Sequence, residues 1–192
     1  MIDVLEIDQA LDAASLEGIR REMDAARGDP ATVLGATPER RVGSSARKAS
    51  LLAVDAGARA AVARLLQRLQ PRIEAHFEQE LDGFEEPQFL HYGPGDYFVA
   101  HQDGNTPLVY DESRSRKISV VIFLSAQSEH PTPETFCGGS LVLHGPFGQA
   151  EPPLTLAPAP GTLVAFPAET THEVLPITHG ERLSVVSWYR RG

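Results

Sequence analysis

Cysteine is nearly missing: Cys137 is the only one in 192 residues. One thiol cannot close an intrachain disulfide, and it cannot build a cysteine zinc site. Positive charge is also short. Seventeen Lys and Arg stand against 26 Asp and Glu, a formal net charge of −9. Such a chain has no global attraction for nucleic acid or an anionic membrane, so neither is expected as a partner. No apolar run approaches the roughly 18 residues that a membrane span needs. The opening "MIDVLEIDQALDAASL" lacks the basic start and apolar middle of a secretory signal, which leaves a cytoplasmic location as the expectation. Internal repeats and low-complexity tracts are absent as well.

The residues that remain suit a folded protein. Hydrophobic residues make up 42% and charged residues 22%, enough apolar surface to bury a core. The length favours one domain over 1–192. Two helices are expected in residues 1–85, a helical support region. The first covers about Asp8 to Arg27, with Leu11, Leu16, Ile19 and Met23 near helical spacing and a stop at "GDP". The second covers about Ala56 to Leu81, with Val62, Leu65, Leu66, Leu69, Ile73 and Phe77 on one face. Pro71 should kink or divide it. Between them "ATPERRVGSSARKASLL" carries Arg40, Arg41, Arg47 and Lys48. It reads as a solvated loop or hairpin, or as a mobile loop over about 36–50 that covers a substrate.

From Pro87 the texture changes to short β-rich runs separated by Gly and Pro: "QFLHY", "DYFVAH", "KISVVIFLS", "GSLVLH", "PLTLAP", "GTLVAFP", "HEVLPI" and "RLSVVSWY". Helices first and strands afterwards indicate an α+β chain, with an all-β barrel or sandwich over 86–192. Residues 104–116, 126–137 and 144–153 read as its longer connections.

Of seven histidines, most are expected to be ordinary: His76 on a helix, His130 in a Pro-rich loop, His179 in a turn. His101 and Asp103 differ, because residues two apart in a strand point to one face and can reach one cation. His172 opens the strand after "GTLVAFPAETT", and in a barrel that strand can approach the pair. Two imidazoles and one carboxylate on one face of a metal leave positions open for co-substrate and O2, which suits Fe(II). Zinc usually prefers a closed or nearly closed tetrahedral site. Arg182 begins the next strand, where Leu183 to Tyr189 offer no acid to pair with it. A bound dicarboxylate would pair it bidentately, and Ser184 on the same face can add a hydrogen bond. The plain alternative is a strand-end arginine in a surface ion pair with Glu173 or Glu181.

Together His101-x-Asp103, His172 and Arg182-x-Ser184 on a β-rich C-terminal half resemble the iron(II)/2-oxoglutarate-dependent dioxygenases, and within them the prolyl 4-hydroxylase group. Tyr92, nine residues before His101, stands where that group places a tyrosine bonded to the 2-oxoglutarate carboxylate. "GGSLVLHG" and "GTLVAFPAETTHEV" resemble its strands, and Trp188 matches a tryptophan lining the substrate pocket. The motifs cover about 87–190. The resemblance implies a double-stranded β-helix, a cupin-like jelly roll, with the N-terminal helices packed on one sheet. It implies Fe(II) held by His101, Asp103 and His172. The co-substrate 2-oxoglutarate would be held by Arg182, Tyr92 and Ser184, with O2 consumed and ascorbate as a stimulant. The implied reaction is hydroxylation of an unactivated C–H bond, first of all in prolyl residues of a protein or peptide, releasing succinate and CO2. A free amino acid or other small biosynthetic molecule is the alternative substrate. A sensor module without turnover is the alternative of another class. Asp103 argues against halogenation, since halogenating relatives free that position for halide.

Three positions depart from relatives. Phe123 stands where some carry a second hydroxyl near 2-oxoglutarate. Tyr110 stands at about the spacing of a substrate-contacting arginine, and so is a candidate substrate residue beside Trp188. Trp188 itself replaces the second arginine of the nucleic-acid demethylase branch.

Overall fold

The computed structural model describes residues 2–26, 28–30, 46–104, 112–146 and 152–192. The N-terminal part forms β1 (Leu5–Ile7), helix α1 (Ala13–Ala25), β2 (Gly28–Pro30), β3 (Arg47–Lys48), β4 (Ser50–Leu52) and helix α2 (Ala56–Phe77). Next come β5 (Gln88–Tyr92), β6 (Tyr97–His101), a 3-10 turn (Glu112–Ser115), β7 (Arg116–Phe123), β8 (Ala126–Gln127) and β9 (Thr135–Gly138). The chain closes with β10 (Leu141–Pro146), β11 (Leu154–Leu156), β12 (Leu163–Pro167), β13 (Thr170–Val174), β14 (Ile177–His179) and β15 (Arg182–Arg190).

Both helices begin at an aspartate. Asp12 accepts a hydrogen bond from the Ser15 amide at 2.8 Å, and Asp55 accepts one from the Ala58 amide at 2.7 Å. Each side chain satisfies an amide that the first turn would leave unpaired. The cap at Asp12 places the start of α1 at Ala13 rather than at Asp8. Helix α2 is not divided at Pro71. Pro71 and Gln67 are both exposed, so the Gln67 carbonyl that loses its helical partner faces water.

Seven strands form one sheet in the order β1-β12-β7-β15-β5-β4-β2, and five form a second in the order β11-β10-β13-β6-β3. Period-2 alternation sorts the larger sheet into two faces. Ile118, Val120, Ile122, Leu163, Ala165, Leu183, Val185 and Tyr189 pack with Ile19, Met23, Val62, Leu65, Leu66 and Ile73 of the helices. Each such side chain contributes about 1.5–3 kcal/mol when buried, more than local helix preference supplies, so packing on the sheet holds α2 in place. The intervening residues Leu90, Tyr92, Val121, Phe123, Val164 and Phe166 meet Leu141, Leu143, Leu156 and Val174 of the second sheet. The result is a double-stranded β-helix with the helices on the outer face of one sheet.

The N-terminal part is more than helical support: β1, β2 and β4 extend the larger sheet and β3 the smaller one. The stretch read as a loop over 36–50 ends in β3 and enters β4, because Arg47 and Lys48 pair with Phe98 and Tyr97; residues 31–45 lie outside the described residues. The connection 126–137 contains β8 and β9, which pair in parallel. His172 lies mid-strand, since β13 begins at Thr170, and His179 closes β14.

Candidate active site

The antiparallel register of β13 and β6 sets His172 opposite His101, with ring centroids 4.2 Å apart. Asp103 follows β6 by two residues, and its amide donates to the Ala168 carbonyl at 3.0 Å. This bond ties the end of β6 to the turn between β12 and β13. Asp103 Oδ1 lies 3.5 Å from His101 Nε2, and Oδ2 lies 3.4 Å from His172 Nε2. One ligand atom from each residue falls within 4.8 Å of the other two. Each imidazole donates its Nδ1–H to the carbonyl two residues earlier, His101 to Val99 at 2.8 Å and His172 to Thr170 at 2.9 Å. Those bonds fix the tautomer and leave both Nε2 lone pairs turned toward Asp103.

Charge is arranged to match. Burial pushes the His172 imidazole down to about 4 against the opposing pull of Asp103, so it is neutral at neutral pH. Burial would raise the Asp103 carboxyl, but His172, His101 and the Ser119 hydroxyl together hold it well below the usual carboxylate range. A neutral His172 imidazole beside an ionised Asp103 carboxylate is in the protonation state a metal needs. Phe98 stacks on His101 at 3.5 Å and Phe166 meets His172 edge-on at 4.9 Å, which restrains both rings.

The residues 87–190 match the family model of the 2OG-Fe(II) oxygenase superfamily. The chain belongs to this superfamily. Among similar proteins are a PKHD-type hydroxylase of Shewanella sp. (strain MR-7), 33% identical over 105 residues, and one of Klebsiella pneumoniae (strain 342), 36% identical over 103 residues. The alignments cover 55% and 53% of this chain but only 42% and 41% of those hydroxylases, so the chain spans less than half their length. In architecture it is similar to a Pseudomonas putida prolyl-4-hydroxylase, with a TM-score of 0.72, 24% identity, and coverage of 100% of this chain and 94% of the other. It is also similar to a Trichoplax adhaerens prolyl hydroxylase in complex with a hypoxia inducible factor peptide fragment. There the TM-score is 0.73 and the identity 15%, with 99% and 84% covered. These structural likenesses show the fold.

The donor set of this superfamily member fits Fe(II): two imidazole nitrogens and a carboxylate on one side, none of them a thiolate. The second half of the fit is Arg182. It is 2% exposed and stands opposite Tyr92 in the β15–β5 register. Its Nη1 donates to Ser184 Oγ at 3.1 Å, and its Nε has no hydrogen-bond partner. The guanidinium lies 5.3 Å from the Tyr92 ring and 5.2 Å from the Phe123 ring. Among the described residues no carboxylate pairs with it, so the surface ion pair with Glu173 or Glu181 does not form. Glu173 instead meets His144 at 2.8 Å, and Glu181 lies 3.4 Å from His91. Burial disfavours the charged guanidinium, and a bound carboxylate would offset that cost. Nearby, Gly139 adopts φ +63°, and a Cβ there would collide with Ile177 Cδ1 and approach Arg182 Cδ. Only glycine leaves that space open.

Trp188 is 7% exposed, with the Arg116 guanidinium 3.8 Å from its ring centroid. Tyr110, Arg40 and Arg41 lie outside the described residues. Lys48 pairs with Asp96 at 3.0 Å, and Arg47 is buried with its guanidinium 4.7 Å from the Phe98 ring. Two of the four cations of the stretch 36–50 are therefore engaged within the fold. Ser119 carried no expectation, yet its hydroxyl donates to Asp103 Oδ2 at 2.7 Å. The signal was a hydroxyl near the start of the apolar run "KISVVIFLS", where burial demands a partner.

Proposed function

We propose that the chain is an Fe(II)- and 2-oxoglutarate-dependent oxygenase that hydroxylates an unactivated C–H bond, most directly of a prolyl residue in a protein or peptide. The observation that carries this reading is the pairing of two features in one barrel. Three converging ligand atoms come from β13 and from the end of β6 and the residues after it, and a buried arginine whose Nε lacks a partner opens β15. The prolyl assignment is supported by the prolyl hydroxylases among the similar structures.

His101 and His172 would ligate through Nε2, and Asp103 through a carboxylate oxygen. Arg182 would pair the far carboxylate of 2-oxoglutarate, with Tyr92 and Ser184 donating to the same group. Bound Fe(II) supplies the redox chemistry: one atom of O2 enters the substrate as hydroxyl and the other enters succinate, with loss of CO2. The chain's own work is placement and exclusion. Strand register holds the ligands at their spacing, with Phe98 and Phe166 against the two imidazoles and Phe123 beside the arginine. Trp188, directly across from Ser119, would border the substrate side together with Tyr110.

The test is coupled turnover. The protein is incubated with Fe(II), 2-oxoglutarate and ascorbate, and with proline-containing peptides or free amino acids in parallel. The expected result is succinate formation stimulated by a peptide that gains the mass of one oxygen atom. Stimulation by free amino acids alone would move the substrate assignment to small molecules. Succinate no higher than with Asp103→Ala under every condition would overturn the reading.

A further inference from the structure

Ser119 lies midway along β7 on the barrel-interior face, 1% exposed, opposite Trp188 on β15 and Phe166 on β12. Its neighbours on that face of β7 are Val121 and Phe123, so the strand places a hydroxyl where its own pattern calls for an apolar side chain. The hydroxyl spends its proton on one atom, Asp103 Oδ2, at 2.7 Å. A hydroxyl-to-carboxylate bond of that length is charge-assisted.

Apart from the approaches of its oxygens to His101 Nε2 at 3.5 Å and His172 Nε2 at 3.4 Å, both longer than the Ser119 bond, the restraints on Asp103 act on its backbone. Its amide donates to Ala168, and its carbonyl accepts from Arg116 Nη1 at 3.3 Å. Arg116 is itself fixed by two 2.8 Å bonds to Glu85 and by its place over Trp188. These contacts set where the Cα of Asp103 stands, but they leave the side-chain torsions free. The bond from Ser119 fixes the rotation of the carboxylate.

We propose that Ser119 is a positioning residue for metal binding. Its hydroxyl keeps the Asp103 carboxylate turned toward His101 and His172 before a metal arrives. The inference rests on the reading of those three residues as metal ligands. Partners of ligating carboxylates govern metal affinity strongly although they never touch the ion. Ser119 acts on a carboxylate held between two strands of different sheets, so its effect should appear in affinity rather than in folding.

Mn(II) serves as the probe, since its binding can be followed by paramagnetic resonance of the free ion without turnover. The wild-type protein is compared with Ser119→Ala, Ser119→Cys and Asp103→Ala, and the apo melting temperature of each is recorded. The expected result is a Kd for Mn(II) raised about 10-fold or more in Ser119→Ala, with the apo melting temperature little changed. Ser119→Cys keeps the size but substitutes a weak donor, so it should show the same loss and stands in if the alanine variant fails to fold. Wild-type affinity in both Ser119 variants, with binding lost in Asp103→Ala, would overturn this inference and leave the ligand assignment intact. Wild-type affinity in Asp103→Ala would overturn the ligand assignment itself.

Discussion

His101 and His172 face each other across the β6–β13 pair, with their ring centroids 4.2 Å apart. Directly opposed residues of an antiparallel pair share a face, so the ladder itself brings the imidazoles together. Asp103 joins them two residues beyond the end of β6, held there by its amide bond to the Ala168 carbonyl. A site carried on hydrogen-bonded strands is organised before its ligand binds. Removing a ligand should therefore remove binding without unfolding the barrel. Asp103→Ala and His172→Ala should each weaken Mn(II) binding by at least about 100-fold, beyond the range produced by losing an outer partner. Calorimetry measures the affinity and circular dichroism the fold; near-wild-type affinity in either variant would remove that residue from the ligand set.

Arg182 sets function against stability. The guanidinium is buried, bonded to Ser184 alone by the contacts described, and has an orphaned Nε. Replacing a poorly compensated buried charge by an apolar side chain of similar length is often stabilising. Arg182→Met should raise the stability of the apo protein by about 1 kcal/mol or more. The same change should weaken 2-oxoglutarate binding by at least about 30-fold, through loss of a buried charge partner. Denaturant melts and the 2-oxoglutarate-induced shift in melting temperature read the two effects separately. A variant that is destabilised yet still responds to 2-oxoglutarate would contradict both.

The legible parts of the sequence were those with a period or a spacing. All eight β-like runs became strands, because alternation or a continuous apolar run between Gly and Pro punctuation is a local signal. His101, Asp103, His172 and Arg182 could be singled out because strand period and chain order limit which side chains can meet. Strands β1 to β4 were not legible. They are two or three residues long, and their edges are completed by partners distant in sequence, as when Leu5 pairs with Ala165. Ser119 was missed for a related reason. Its meaning depends on a carboxylate 16 residues away that only the folded barrel brings within 2.7 Å. Of the two outcomes expected at Pro71, division does not occur: α2 runs unbroken from Ala56 to Phe77, and the Gln67 carbonyl left without its helical partner belongs to an exposed residue.

Tyr189 couples the helical layer to the barrel. Its ring packs in the helix-facing core, and its hydroxyl donates to the Leu66 carbonyl on α2 at 2.6 Å. The bond is buried, while the ring's apolar contacts do not need the oxygen. Tyr189→Phe should cost about 1–2 kcal/mol of unfolding free energy, the range for losing one buried hydrogen bond, and should leave Mn(II) affinity unchanged. Urea titration checks the first and calorimetry the second. A stability loss of zero would mean that β15 and α2 are held by packing alone.

Two glycines should respond to alanine with opposite signs. Gly18 lies within α1, and a Cβ there would meet nothing within 4 Å. Gly18→Ala should stabilise the protein by about 0.5–1 kcal/mol, because alanine loses less conformational freedom in a helix. Gly104 follows Asp103 and is buried, and a Cβ there would stand 2.8 Å from the Arg116 carbonyl oxygen and 3.1 Å from that of Ser113. Both obstacles are backbone, so they cannot swing aside, and the strain would fall on the segment that carries the ligand. Gly104→Ala should cost about 1–3 kcal/mol and weaken Mn(II) binding as well, since overpacking moves what it cannot compress. Melting temperatures and Mn(II) titrations of the two variants test the pair. A stable Gly104→Ala protein with normal affinity would show that the end of β6 can shift without disturbing Asp103, and that its close approach to Arg116 does not hold the site.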